Sequence, residues 1–205
     1  MKISDKDKEV IKEAIKSVEL KTSGEIVPVI LKQSDFYPAA HFRLALIMGI
    51  FFSLVLYYTY DFSDPLALIW IQAPGILLGY FVAYIPSIKR LFTTKAEMQE
   101  EVYQRSLEVF YENNVSMTRD RTGIMIFISL LERKVSVLAD CGINEVVSKD
   151  YWNELVQVLT SDIAKGDMTQ GVVKSINTCG SKLLESFPIK EDDTNEVVDE
   201  LITDL

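Results

Sequence analysis

Ile124-Met125-Ile126-Phe127-Ile128-Ser129-Leu130-Leu131 is followed by Glu132-Arg133-Lys134 and then by Val135–Ala139. The first run is near-continuously apolar, as in a strand buried on both faces. The charged triplet reads as a solvated turn. With so few residues between them, the two strands should pair antiparallel. Ahead of this pair, Thr94 or Lys95 starts a helix to about Tyr111, with Val102, Tyr103, Ser106, Leu107 and Phe110 on its inner face. Behind it, two helices are predicted, about Ser148–Lys165 and Met168–Ser186, separated by Gly166-Asp167 and ended by Pro188. At the start of the chain, residues 4–22 read as an amphipathic helix capped by Ser4, with Ile11, Ala14, Ile15 and Val18 inward. Thr22-Ser23-Gly24 stops it, and Glu25–Leu31 follows as a buried strand. Pro28 within that strand argues for an edge position or a bulge. Helices on both sides of a small mixed sheet give an α/β class, a three-layer α/β/α sandwich.

Two apolar runs, Leu44–Tyr60 and Leu66–Ile88, interrupt this pattern, joined by Asp61-Phe62-Ser63-Asp64-Pro65. Neither contains Asp, Glu, Lys or Arg, and a bilayer core needs about 20 mostly apolar residues. The expectation is a transmembrane helical hairpin over residues 42–88. Residues 1–41 and 89–188 then form one discontinuous α/β domain, and 189–205 an acidic tail. His41, Arg43, Lys89, Arg90 and Lys95 flank the runs, while the linking turn is acidic. By the positive-inside rule both termini should be cytoplasmic, in an inner or plasma membrane. The competing reading is a buried helical hairpin of a globular protein.

The net charge of −9 over 205 residues, without a basic cluster, argues against nucleic-acid binding. Met1–Lys8 does not read as a signal peptide. Cys141 and Cys179 form no CxxC, so neither zinc nor redox spacing is present. From Glu191 onward there are seven acids and no base. That tail reads as a solvated segment, or as a short docking helix through Val197, Val198, Leu201 and Ile202.

Thr22-Ser23-Gly24-Glu25-Ile26-Val27 after a helix, the string Arg121–Val135 and Ala139-Asp140-Cys141-Gly142-Ile143 together resemble the TPM domain family. Trp152, Gly166, Gly171 and Val172-Val173 agree with it. The resemblance is to the bacterial membrane-anchored branch, with the hairpin as an insertion after the first strand. It implies the three-layer fold, and activities associated with divalent cations, acid phosphatase activity and upkeep of membrane protein complexes. Many members carry Asp-Asp-Gly where this chain has Arg121-Thr122-Gly123, so any metal ligands supplied there are missing. Many relatives are also exported, whereas the flanking charges here place the domain in the cytoplasm.

Asp140 follows an apolar strand, with Asn144 and Glu145 behind it, and Glu25 with Ser23 opens another strand. Asp140, Glu25, Asn144 and Glu145 are therefore the candidate metal ligands, offering the hard oxygens that Ca²⁺ or Mg²⁺ prefers. The alternative for Asp140 is a turn or helix cap. Arg133, like Arg119–Arg121, reads as a solvated loop charge. His41 is the only histidine, and there is no GxSxG, P-loop, GxGxxG or HExxH. No organic cofactor and no catalytic residue are indicated. The function expected is a membrane-anchored, cytoplasmic-facing accessory or interaction module with a divalent-cation site. Its partners would be the membrane, through residues 44–60 and 66–88, and a membrane protein. A weak metal-dependent acid phosphatase is the alternative.

Overall fold

The computed structural model describes residues 3–59, 65–190, 196–197 and 199–205, apart from the side chains of Pro65 and Leu68. Most of the expected turn at Asp61–Pro65, the tail residues 191–195 and Val198 lie outside the described residues. In chain order the elements are α1 (Asp5–Glu19), β1 (Glu25–Leu31), α2 (Pro38–Thr59), α3 (Pro65–Val82), α4 (Pro86–Leu91) and α5 (Lys95–Glu112). There follow β2 (Gly123–Ser129), β3 (Lys134–Ala139), α6 (Cys141–Asn144), α7 (Lys149–Ala164), α8 (Met168–Ser186) and β4 (Ile202–Thr203). The chain forms two compact units, residues 1–34 with 102–205, and residues 35–101.

The first unit is an α/β/α arrangement on a small mixed sheet of order β3-β2-β1-β4. β1 runs parallel to β2, with Glu25 opposite Gly123 and Leu31 opposite Ser129. β2 is antiparallel to β3, Ile124 lying opposite Ala139. β1 and β2 are buried along their whole length because both faces are covered. Ile26, Ile30, Ile124, Ile126 and Ile128 pack against Ile11 and Ile15 of α1, Leu159 of α7 and Ile176 of α8. Val27, Val29, Met125 and Phe127 meet Val102, Val109 and Phe110 of α5 and Val115 of a short 3₁₀ turn.

Alternation along β1 sets its hydrogen bonding. The Glu25 N–H donates to Thr122 O (3.2 Å), and Leu31 O accepts from Leu130 N–H (3.0 Å). Odd-numbered backbone groups therefore face β2, and even-numbered ones face outward. Pro28 falls on the outward side, where its missing N–H breaks no bond to β2. On that side β4 pairs in parallel only at Val29–Ile202 and Ile30–Thr203. The segment expected to be solvated or a docking helix thus contributes a short strand. The turn after β2 also differs from expectation. Glu132 is buried, accepting hydrogen bonds from the Ser129 hydroxyl and from Ser34 N–H (2.9 Å), so it braces the strand ends rather than facing solvent.

The membrane hairpin requires correction. Helices form where the two apolar runs lie, but the second run is not one span. Leu66–Ile88 breaks after Val82, and α4 begins with Ile85 as N-cap and Pro86 at its first position. α3 ends at Val82 after 18 residues, and among the described residues α2 alone is long and apolar enough to cross a membrane. One such helix does not support a two-span hairpin. The transmembrane hairpin, the membrane-anchored accessory role, the membrane and membrane-protein partners, and the two-termini-inside topology are not supported.

Within the second unit, α2 and α3 pack along a seam of small residues. A Cβ on Gly75 would come 2.7 Å from Met48 O, and one on Gly79 2.7 Å from Leu44 O. Arg43 of α2 holds Glu97 of α5 (2.8 Å) and also donates to Phe92 O (3.0 Å). Leu46, Phe51, Trp70 and Phe81 remain exposed on the outer faces.

Gly123 opens β2 under the backbone of the 3₁₀ turn, where a Cβ would lie 2.0 Å from Val115 O. Backbone cannot yield as a flexible side chain can. Gly123→Ala is expected to destabilise the chain by about 2–3 kcal/mol, measured as a lower urea midpoint.

Candidate metal centre

Three acids from three elements meet beside the start of β1. Glu19 ends α1, Glu25 begins β1, and Asp199 lies in the segment leading to β4. One carboxylate oxygen from each lies within 4.8 Å of the other two. The Thr22-Ser23-Gly24 turn makes this meeting possible by folding the end of α1 back over the strand. Its geometry is held by Ser23 N–H to Phe187 O (3.1 Å) and the Thr122 hydroxyl to Ser23 O (2.9 Å).

Two of the acids also serve the backbone. Glu19 Oε1 accepts from Ile26 N–H (3.4 Å), and Glu25 Oε1 from Glu196 N–H (3.2 Å). Among the described residues, neither has a lysine or arginine as ion-pair partner. Burial first, then the charges of Glu25 and Asp199, push the Glu19 carboxyl up to about 9. Burial raises Glu25 as well, opposed by the Glu196 N–H and by its hydrogen bond with Glu19. Both directions favour a proton shared between the two carboxyls.

The residues singled out by sequence are distributed differently. Glu25 is in this cluster. Asp140 sits at the end of β3, and its N–H donates to Gly123 O (2.9 Å), the residue opposite Glu25. One strand lies between them, which places Asp140 roughly 10 Å from Glu25 across the sheet. Asp140 is buried and already engaged. Its Oδ1 accepts from Cys141 N–H (2.7 Å) as the N-cap of α6, and its Oδ2 forms an ion pair with Arg121 Nε (3.2 Å) that lacks hydrogen-bond alignment. Arg121, in the left-handed region at φ 58°, also donates to Ser116 O (2.6 Å). Asn144 donates to Ala139 O (2.6 Å), and Glu145 is exposed at the end of α6. The structure does not gather Asp140, Asn144 and Glu145 around Glu25.

Residues 80–182 match the TPM domain, about half of the chain. The chain belongs to the TPM domain family. Nothing in that match concerns a membrane-anchored branch. Asp140, Asn144 and Glu145 lie within the matched stretch, whereas Glu19, Glu25 and Asp199 lie outside it. Among solved structures, this TPM protein is similar to the BA42 protein of the psychrophilic bacterium Bizionia argentinensis, determined by NMR. The identity is 20% and the TM-score 0.61, covering 99% of this chain and 96% of that one. At that identity the likeness shows the fold. No curated protein matches the chain.

Glu19 and Asp199 escaped the sequence reading, Glu19 as part of a polar helix face and Asp199 as part of an acidic tail. The available signal was local: two acids bracket the helix-to-strand turn. Asp199 carries no sequence signal, since only the tertiary fold brings it to β1.

A carboxyl raised on folding binds its proton more tightly in the folded chain. Its stabilising contribution is fully present below the unfolded value of 4.5 and is lost as pH rises towards about 9. In chelator, the urea midpoint of the wild type should fall across that window. Glu19→Gln, which cannot ionise, should flatten the fall; an equally steep profile would contradict the assignment.

Proposed function

We propose that this TPM domain is a divalent-cation-binding protein whose ligands are Glu19, Glu25 and Asp199, with Ca²⁺ or Mg²⁺ as the ion. The observation that carries this reading is the convergence of three carboxylates, with no basic ion-pair partner for Glu19 or Glu25 among the described residues. Buried charges of one sign need a proton or a cation. Carboxylate oxygens are the ligands that hard divalent cations select. Two oxygens on one Ca²⁺ at about 2.4 Å stand no more than about 4.8 Å apart, which accommodates the observed spread. The Glu196 N–H on Glu25 would orient one ligand in the manner of an outer-sphere hydrogen bond.

Asp140 is the less suitable centre, because the Arg121 guanidinium already neutralises it and would repel an incoming ion. Arg121 stands where many family members have aspartate, which supports shifting the ion from the matched stretch to the start of β1.

Thermal melts at about pH 8, where protons compete less, test the proposal. Ca²⁺ or Mg²⁺ at a hundredfold excess over Kd should stabilise the wild type by roughly 2.7 kcal/mol. Glu25→Gln and Asp199→Asn should each abolish the shift, and Asp140→Asn should preserve it. A shift lost only in Asp140→Asn would move the site to α6, and no shift in the wild type would end the proposal.

A further inference from the structure

The turn between α1 and β1 carries one polar group that its hydrogen bonds leave over. Ser23 N–H donates to Phe187 O (3.1 Å), and Ser23 O accepts from the Thr122 hydroxyl (2.9 Å). The neighbouring Thr22 hydroxyl donates to Phe187 O (2.5 Å) and accepts from Gly24 N–H (3.2 Å). Ser23 is only 8% exposed, yet its Oγ is buried without a hydrogen-bond partner among the described residues. A hydroxyl can donate one bond and accept two, so burying it unused costs free energy.

The direction of that hydroxyl follows from the backbone on either side. Ser23 O and Glu25 N–H both turn to Thr122, with Gly24 between them. Side chains alternate along such an extended stretch, so Ser23 and Glu25 lie on one face, roughly 7 Å apart along the chain. Gly24 marks the opposite face, where a Cβ would meet the Leu183 side chain of α8 at 2.7 Å. Ile26 and Ile30 share that layer with Leu183, whereas Val27 and Val29 belong to the other. Ser23 Oγ thus projects on the side of the sheet from which Glu25 extends its carboxylate.

We propose that Ser23 Oγ is a fourth oxygen ligand of the centre formed by Glu19, Glu25 and Asp199, and that this donor set selects Ca²⁺ over Mg²⁺. Such ligation rests on the cation reading above and adds a neutral donor to it. Two independent features meet here: three carboxylates with an oxygen of each within 4.8 Å of the others, and a buried hydroxyl whose lone pairs are unused. Both backbone bonds of Ser23 fix its position, so little ordering is left for an ion to impose. A neutral oxygen also adds a bond to the cation without adding to the repulsion among the acids. Mg²⁺ keeps several waters and takes few protein oxygens, whereas Ca²⁺ accepts roughly six to eight oxygens in flexible geometry. A set of four protein oxygens therefore suits calcium.

Full-length wild type and Ser23→Ala are compared at about pH 8 by Ca²⁺ and Mg²⁺ titration, and with Tb³⁺ as a luminescent probe of the site. Tb³⁺ lifetimes in H₂O and D₂O should give Ser23→Ala about one more bound water than the wild type. Its Ca²⁺ affinity should fall roughly tenfold, narrowing the preference over Mg²⁺. In chelator the variant should melt no lower than the wild type, because the hydroxyl removed had no partner to lose. A lower melting temperature in chelator would show the hydroxyl to be satisfied within the chain and would overturn the ligation. An unchanged water count and Ca²⁺ affinity would overturn Ser23 as a ligand while leaving the three-carboxylate site standing. Equal wild-type affinity for Ca²⁺ and Mg²⁺ would overturn the selectivity. A wild type that binds none of the three ions would end the cation reading, and the Ser23 ligation with it.

Discussion

β1 presents its backbone groups alternately to β2 and outward, while both its faces are buried. Any outward N–H left unpaired in that setting would carry a full desolvation cost. A full-length neighbouring strand would remove the problem, but β4 covers only two positions. The rest is met by a carboxylate at Ile26, a proline at position 28 and a second carboxylate at Lys32. The chemistry at this edge follows from that constraint. Carboxylates are drawn to the strand because they accept hydrogen bonds, and once there they repel one another.

The two acidic centres at this end of the sheet show how differently such charge can be compensated. Asp140 has a backbone donor and the Arg121 guanidinium, so its charge is balanced within the chain. Among the described residues, Glu19 and Glu25 have backbone donors but no cationic ion-pair partner, and Asp199 adds a third acidic group. Burial and the neighbouring charges favour a proton on Glu19, and a cation bound there would compete for the same oxygens. Arg121 at φ 58° is the residue that separates the cases, since its guanidinium claims Asp140.

The strands and helices of the first unit were legible because burial on both faces writes a near-continuous apolar run, as in Ile124–Ile128. Pro28 argued for an edge position or a bulge, whereas β1 lies between β2 and the short β4 in continuous register with β2. The second apolar run misled because hydropathy averages composition over residues 66–88 and does not register the stop after Val82 or the restart at Pro86. Val197, Leu201 and Ile202 have helical spacing, yet the open edge of β1 draws Ile202–Thr203 into extended pairing, so tertiary context overrides the local pattern. At the site, Glu25 was visible from its place at a strand start. Glu19 and Asp199 were not, because their roles arise only when α1 folds back and the segment after α8 returns to β1. Membership in the TPM family helps little here, since the matched residues 80–182 contain none of the three.

Proton–cation competition in the cluster is most directly tested by calorimetric titration of Ca²⁺ into the metal-free chain near pH 7, in two buffers of different ionisation enthalpy. With Glu19 holding its proton up to about 9, binding should release about one proton per ion. The apparent enthalpy should then differ between buffers by that amount. Binding with no proton release would place the ion on carboxylates other than Glu19 and Glu25, and no binding would leave the shared proton as the group that neutralises this edge.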